Sequence, residues 1–406
     1  MMESRSIVLT CMLLLVVSLL LPVAVPRVRA SADHIDGMLT WSLDMINAEV
    51  AHGDGYEGSG VYIAVIDTGL VQNWRDYFPE ERIAVEYAKA FPSGGTGQDA
   101  EVPADHWEKD TIGHGTAVTS VILGFELDGT SISGVAPKAT VIPLKVETNG
   151  GVAWGSGIRA AIDYISDLKE NEVIQAPIVI SLTYGFLVDP GLLFLLKACI
   201  ERAIGLGIVV VASGGLEPWG MAYPGAWSEV ISVGCCDWTL EWIGDGDPAV
   251  PWWRDDVPEK LGGKPDSLGN KPQVYIHWSS PRKRAEQEDL DVVTPIRAVM
   301  MDGLPGGGGG TSFATPSVAG IVALMLQKDL EDGTQDLTPA DVESILEETA
   351  FTIKPGTALI YQVSEFGIYG FEEDWTTVPG QFEYTSWGAD ATGAGLVQAD
   401  AAIDAV

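Results

Sequence analysis

The sequence, 406 residues long, predicts an α/β fold in three layers, with a mostly parallel central sheet flanked by helices. Three observations carry this. Short β-branched, apolar runs recur at 61–67, 140–146, 178–182, 208–212 and 230–233. Between them lie stretches with apolar residues at helical spacing, such as 118–122, 158–168 and 192–204. Strands that alternate with helices need crossover connections, which lay the strands parallel and put helices on both faces. Finally, a 46% hydrophobic content is enough for a sizeable core.

Residues 1–30 read as a secretory signal peptide. Arg5 precedes an apolar run over 7–25, and Val28-Arg29-Ala30 offers a small-residue cleavage site. The mature chain would then run 31–406 and be secreted; an uncleaved leader would instead anchor it to a membrane. Trp41, Leu43, Ile46 and Val50 form a short apolar face before the first strand, which ends in Asp67-Thr68-Gly69. A polar stretch to about Thr111 contains Asp105-His106-Trp107, read as a solvated loop rather than a metal or acid–base site. Gly113-His114-Gly115-Thr116 opens the next helix, and Gly134-Val135-Ala136-Pro137 turns into the strand over 140–146.

The βα pattern continues through strands 178–182 and 208–212, the latter running into Ser213-Gly214-Gly215. It is lost over 237–273, where Trp238, Trp242, Trp252 and Trp253 mix with prolines, glycines and acids; this reads as an insertion. Strand character returns over 274–280 and 292–293. A glycine run, 306–310, leads into Thr311-Ser312-Phe313-Ala314-Thr315-Pro316, and Val318, Ile321, Val322, Leu324 and Met325 then mark one helix face. Pro316 is expected in the first turn, where its missing N–H is harmless. Ser312 would stand at a helix N-terminus, with backbone N–H groups beside it able to stabilise an oxyanion. Residues 337–341 resemble a capped helix start, and 358–386 reads as a second insertion, a hairpin.

Asp67-Thr68-Gly69, His114-Gly115-Thr116 and Gly310-Thr311-Ser312-x-Ala314-Thr315-Pro316, in that order, resemble the subtilisin-like serine proteases (subtilases). The resemblance covers nearly the whole chain after the leader. It implies a subtilisin-like fold and a serine endopeptidase acting through an acyl-enzyme. Ser312 would be the nucleophile, His114 the base and acid, and Asp67 the group that orients the imidazole. It further implies that Ser181, Leu182 and Thr183, with Ala212, Ser213 and Gly214, line the substrate site. The loop over 149–151 falls near an edge that pairs with extended substrate. Gly215 falls in the oxyanion region, alongside Ser312, where many subtilases place an asparagine. Glycine has no side chain to donate there, and losing such a donor slows turnover roughly 100- to 1,000-fold. The alternative reading is therefore a weak or inactive relative that binds peptides or serves at a surface. Secreted relatives usually carry a propeptide, and the short segment between residue 30 and the first strand suggests folding without one.

The formal net charge is −34, and −36 once the leader is removed. Such a chain disfavours nucleic acid and anionic membranes as partners. The expected partners are protein or peptide substrates, met by a monomer. No cofactor is required by the chemistry. The acids at Asp245, Asp247, Asp255 and Asp256 leave room for structural calcium, though they match no complete calcium loop. Cys199, Cys235 and Cys236 are read as free and buried, with a disulfide to Cys199 the other possibility.

Overall fold

A computed structural model of the chain describes residues 42–91, 104–127, 130–147, 153, 155–238, 274–284, 287, 290–296, 310–363 and 380–406. The leader, the loop over 149–151, most of the 237–273 insertion with its acids, and the tip of the 358–386 hairpin lie outside the described residues.

Seven parallel strands form the centre. They are β1 (Tyr62–Asp67), β2 (Lys89–Ala90), β5 (Thr140–Lys145), β6 (Ile178–Leu182), β7 (Val209–Ser213), β8 (Ile231–Trp238) and β10 (Val292–Pro295), in the order β10-β8-β7-β6-β1-β5-β2. Expected strand character over 274–280 shrinks to β9 (Val274–Ile276), which pairs antiparallel with β8. Two antiparallel pairs lie apart from this sheet: β3 (Gly124–Leu127) with β4 (Thr130–Ser133), and β11 (Gly356–Val363) with β12 (Gly380–Trp387).

The period-two alternation of each strand divides the core. Ile63, Val65, Val141, Val179, Val209 and Val211 face one side, with residues of the helices α2 (His114–Leu123) and α5 (Thr311–Asp332). Ala64, Ile66, Ile142, Leu144, Ile180 and Val210 face the other, against α3 (Gly155–Glu170) and α4 (Phe194–Gly205). Both faces of the sheet are thus covered, as continuous apolar strands require. Three shorter helices complete the chain: α1 (Ala48–Gly53), α6 (Pro339–Thr349) and α7 (Ala399–Asp404). The start of α6 is closed by Thr338 and Asp341, whose side chains each bond the other's backbone N–H.

Helix α5 is buried nearly all round from Thr311 to Gln327, so the face marked by Val318, Ile321, Val322, Leu324 and Met325 is only part of its buried surface. It starts earlier than Pro316 suggests. Pro316 is the sixth residue, inside the helix rather than in its first turn, and its missing N–H leaves the Ser312 carbonyl without a backbone donor. The tight Gly310, at φ 146°, lets the helix begin at Thr311. Among the described residues, Cys199, Cys235 and Cys236 are buried and none is in a disulfide. Among the described residues no helix is long and apolar enough to cross a membrane.

Candidate active site

β1 lies inside the sheet between β6 and β5, and its carboxyl end carries Asp67, which is fully buried. The carboxylate takes four contacts. His114 Nδ1 lies 2.8 Å from Oδ1 and 3.0 Å from Oδ2, Thr183 Oγ1 donates to Oδ2 at 2.6 Å, and the Thr68 N–H donates to Oδ1 at 2.7 Å. Burial alone would raise the Asp67 pKa, but the charge and hydrogen bond of His114, with the bonds from Thr183 and Thr68, hold it below the usual carboxylate value. Burial pulls His114 down, and the charge and bond of Asp67 outweigh it, with Glu147 and Asp110 adding, so the imidazole lies above its ordinary value.

His114 is the first residue of α2, and the segment before it is tied to β1 by Asp110. Asp110 Oδ1 accepts the N–H groups of Ile112 and Gly113, each at 2.9 Å, while Oδ2 accepts the Thr68 hydroxyl at 2.8 Å. Thr68 Oγ1 in turn accepts the Gly115 N–H at 2.7 Å. Gly115 is there because the chains nearly touch: a Cβ on it would lie 2.4 Å from the Gly69 carbonyl oxygen. Lys145, 1% exposed at the end of β5, donates to the Thr68 carbonyl at 2.7 Å. Burial lowers the Lys145 pKa and raises that of Asp110. Neither Asp110 nor Lys145 stands out from the motifs alone. A lysine closing an apolar strand at Pro143-Leu144-Lys145 was the one signal available for the second.

Ser312 is the second residue of α5 and is partly exposed. At that position its N–H has no acceptor within the helix. Its neighbour Phe313 packs on the imidazole, with ring centroids 5.6 Å apart, so Ser312, His114 and Asp67 share one corner. Among the described residues no hydrogen bond joins the Ser312 hydroxyl to His114. Thr311 Oγ1 donates to the Gly215 carbonyl at 3.0 Å, which fastens the loop after β7 to the start of α5. Gly215 has φ 103°, and a Cβ there would stand 3.0 Å from the Ala222 Cβ. The backbone has closed around the absent side chain.

All six expected substrate-lining residues, Thr183 and Gly214 included, are buried. Ser181, Leu182 and Ala212 are fully buried within their strands. Buried strand interiors are what a parallel sheet demands of these positions. Ser213 is also interior and donates to the Thr183 carbonyl at 3.0 Å. The surface is reached just beyond the strands, at Tyr184, Gly185 and Gly215. Phe186 and Tyr223 exchange backbone hydrogen bonds of 2.7 and 3.0 Å, holding these two loops side by side. Among the described residues no group of His, Cys, Asp and Glu side chains is arranged to hold a metal ion.

The geometry can orient and charge an imidazole next to a hydroxyl at a helix N-terminus, an arrangement suited to acyl transfer. Comparison with known proteins points the same way. A family model described as "Subtilase family" matches residues 58–371. The chain is 26% identical over 293 residues to subtilisin DY of Bacillus licheniformis, covering 71% of this chain and 84% of that protein. It is 28% identical over 305 residues to a thermostable alkaline protease of Halalkalibacterium halodurans, covering 74% and 67%. M-protease of Shouchella clausii is 25% identical over 293 residues, and the matched region spans only 60% of it. Among solved structures, sphericase matches with a TM-score of 0.50 at 23% identity, over 72% of this chain and 84% of that one.

Proposed function

The chain belongs to the subtilase family, and from that premise we propose that it is a secreted serine endopeptidase working through Asp67, His114 and Ser312. The observation that carries this is the buried Asp67 carboxylate bonded to His114 Nδ1 at 2.8 Å. That bond fixes the neutral imidazole with its bare Nε2 free to take a proton from Ser312 Oγ. The hydroxyl oxygen attacks the scissile carbonyl carbon and the proton passes to His114. Charge on the carbonyl oxygen is met by the Ser312 N–H. The imidazolium then protonates the leaving amine, an acyl-enzyme forms, and water attacks it with His114 again as base. No cofactor enters this chemistry, and the partners are protein or peptide substrates.

Fluorophosphonate labelling of the purified protein tests the reading, with Ser312→Ala as control. Labelling confined to Ser312, together with casein hydrolysis lost in the control, is expected. A folded chain that takes no label would leave the second reading, a peptide-binding relative, which is favoured by one observation: Gly215 offers no side-chain donor to the oxyanion.

A further inference from the structure

Beside the proposed triad lies a carboxylate that the chemistry above does not use. Glu147 stands two residues past the end of the Asp67–Lys145 pairing in β5. It is held in place by the Val146 N–H, which donates to the Asp67 carbonyl at 2.9 Å, and by a backbone bridge from Glu147 to Ala153. Leu144 and Val146 face the α3–α4 side of the sheet. Alternation along the strand therefore turns Lys145 and Glu147 to the other side, where α2 carries His114. From the opposite flank, β6 delivers Tyr184 just after Thr183. The order β6-β1-β5 thus lines up Tyr184, Asp67 and Glu147 along one rim.

Two atoms of this rim are unusual. Glu147 Oε2 and Tyr184 Oη are both buried without a well-formed hydrogen bond, and the two side chains make only a loose hydrogen-bonding contact with each other. Buried polar atoms are nearly always paired, and an unpaired carboxylate oxygen is especially unfavourable. His114 and Lys145 are the cationic groups that act on Glu147, and both are engaged elsewhere, His114 with Asp67 and Lys145 with the Thr68 carbonyl. Burial, then the negative charge of Asp67, disfavours the ionised form of Glu147, so an arriving cation would relieve both penalties. The whole chain, at −34, also draws cationic polypeptides toward it and repels acidic ones.

We propose that Glu147, with Tyr184 facing it, determines specificity by taking a Lys or Arg side chain of the bound polypeptide. The inference deepens the endopeptidase reading, and it rests on that reading for the presence of a polypeptide in the cleft. A charge-assisted hydrogen bond to a buried carboxylate changes affinity by roughly ten- to a hundredfold.

The binding arm of the test uses Ser312→Ala protein, which cannot turn substrate over. It is titrated with hexapeptides carrying Lys, Leu or Glu at each position in turn. At one position the Lys peptide is expected to bind about tenfold or more tightly than its Leu counterpart. Adding Glu147→Gln, which keeps the shape and the backbone bridge to Ala153, should reduce that ratio to within about threefold. Adding Tyr184→Phe instead should reduce it by less. Equal binding of Lys and Leu peptides at every position overturns the proposal. So does a Lys preference that survives both Glu147→Gln and Glu147→Leu, or the binding of no peptide at all. Fluorophosphonate labelling of the Ser312 protein is the separate arm: absent labelling with a retained, Glu147-dependent Lys preference would refute the hydrolase and leave this inference standing.

Discussion

A carboxylate as deeply buried as Asp67 is stable as an anion only because three donors surround it. His114 is one of them, so the charge that stabilises the pair also sets the proton affinity of the proposed base. Asp67→Asn keeps the shape and removes the charge. Turnover is expected to fall by about 10⁴-fold. With less negative charge beside it, His114 gives up its proton more easily, so the acid limb of kcat/KM should move to lower pH; an unmoved limb would sink this assignment. Gly215 leads to a second expectation. Restoring an asparagine there would seem to restore an oxyanion donor, but the positive φ and the 3.0 Å approach to Ala222 forbid a relaxed side chain. Gly215→Asn should therefore destabilise the fold by about 1–3 kcal/mol and leave casein hydrolysis no faster. An unchanged Tm with faster hydrolysis would show that the loop adapts.

Helix α5 positions Ser312 at one end and, near the other, fastens the entry to β1. Gln327 Oε1 accepts the N–H groups of Glu57, Gly58 and Ser59 at 2.8, 2.7 and 3.0 Å, while its Nε2 donates to the Gly55 carbonyl at 3.1 Å. One side chain thus satisfies three successive backbone donors. Gln327→Ala would strand them, at a cost of about 2–4 kcal/mol, read as a lower urea midpoint. Gln327→Glu, which keeps the acceptor, should lose less; equal losses would mean that packing, not the hydrogen bonds, matters here. The elements were mostly legible in the sequence because strand alternation and helix spacing are local signals. The exception at α5 is instructive. Ser312 stands at its N-terminus as expected, but Pro316 lies inside the helix and not in the first turn, and burial on nearly every side sustains the helix through the proline.

For the molecule as a whole, the acidic balance sets how stability varies with pH. Asp291, in the turn before β10, accepts the Ser232 N–H at 2.6 Å and the Ser232 hydroxyl at 2.9 Å. Burial, with the Glu343 and Glu347 charges of α6 opposing ionisation, pushes its pKa up to about 8, and burial raises Glu343 to about 7. A carboxyl that prefers to stay protonated in the fold favours folding at low pH. That contribution is lost as the pH climbs from the ordinary carboxylate range through about 8. Asp291→Asn mimics the protonated form, so the variant should gain on the parent by a few kcal/mol as pH rises from 5 to 9 in urea titrations. A constant difference across that range would refute the ionisation. Added salt should raise Tm as well, by screening a net charge of −34.

The sequence by itself determined the α/β class, the order of the main strands and helices though not β2, β3 or β4, and the three short motifs that carry Asp67, His114 and Ser312. These are signals written in neighbouring residues, where period, turn chemistry and motif spacing are read directly. Only the tertiary structure decided that Ser181, Leu182 and Ala212 belong to the core, that Asp110 and Lys145 brace the Asp67–His114 pair, and that Glu147 comes to lie beside it. Those assignments depend on which strands become neighbours. Residues 67, 110 and 147 meet because β5 and β6 flank β1 and because α2 starts where β1 ends, a juxtaposition set by burying both faces of one sheet rather than by any local pattern.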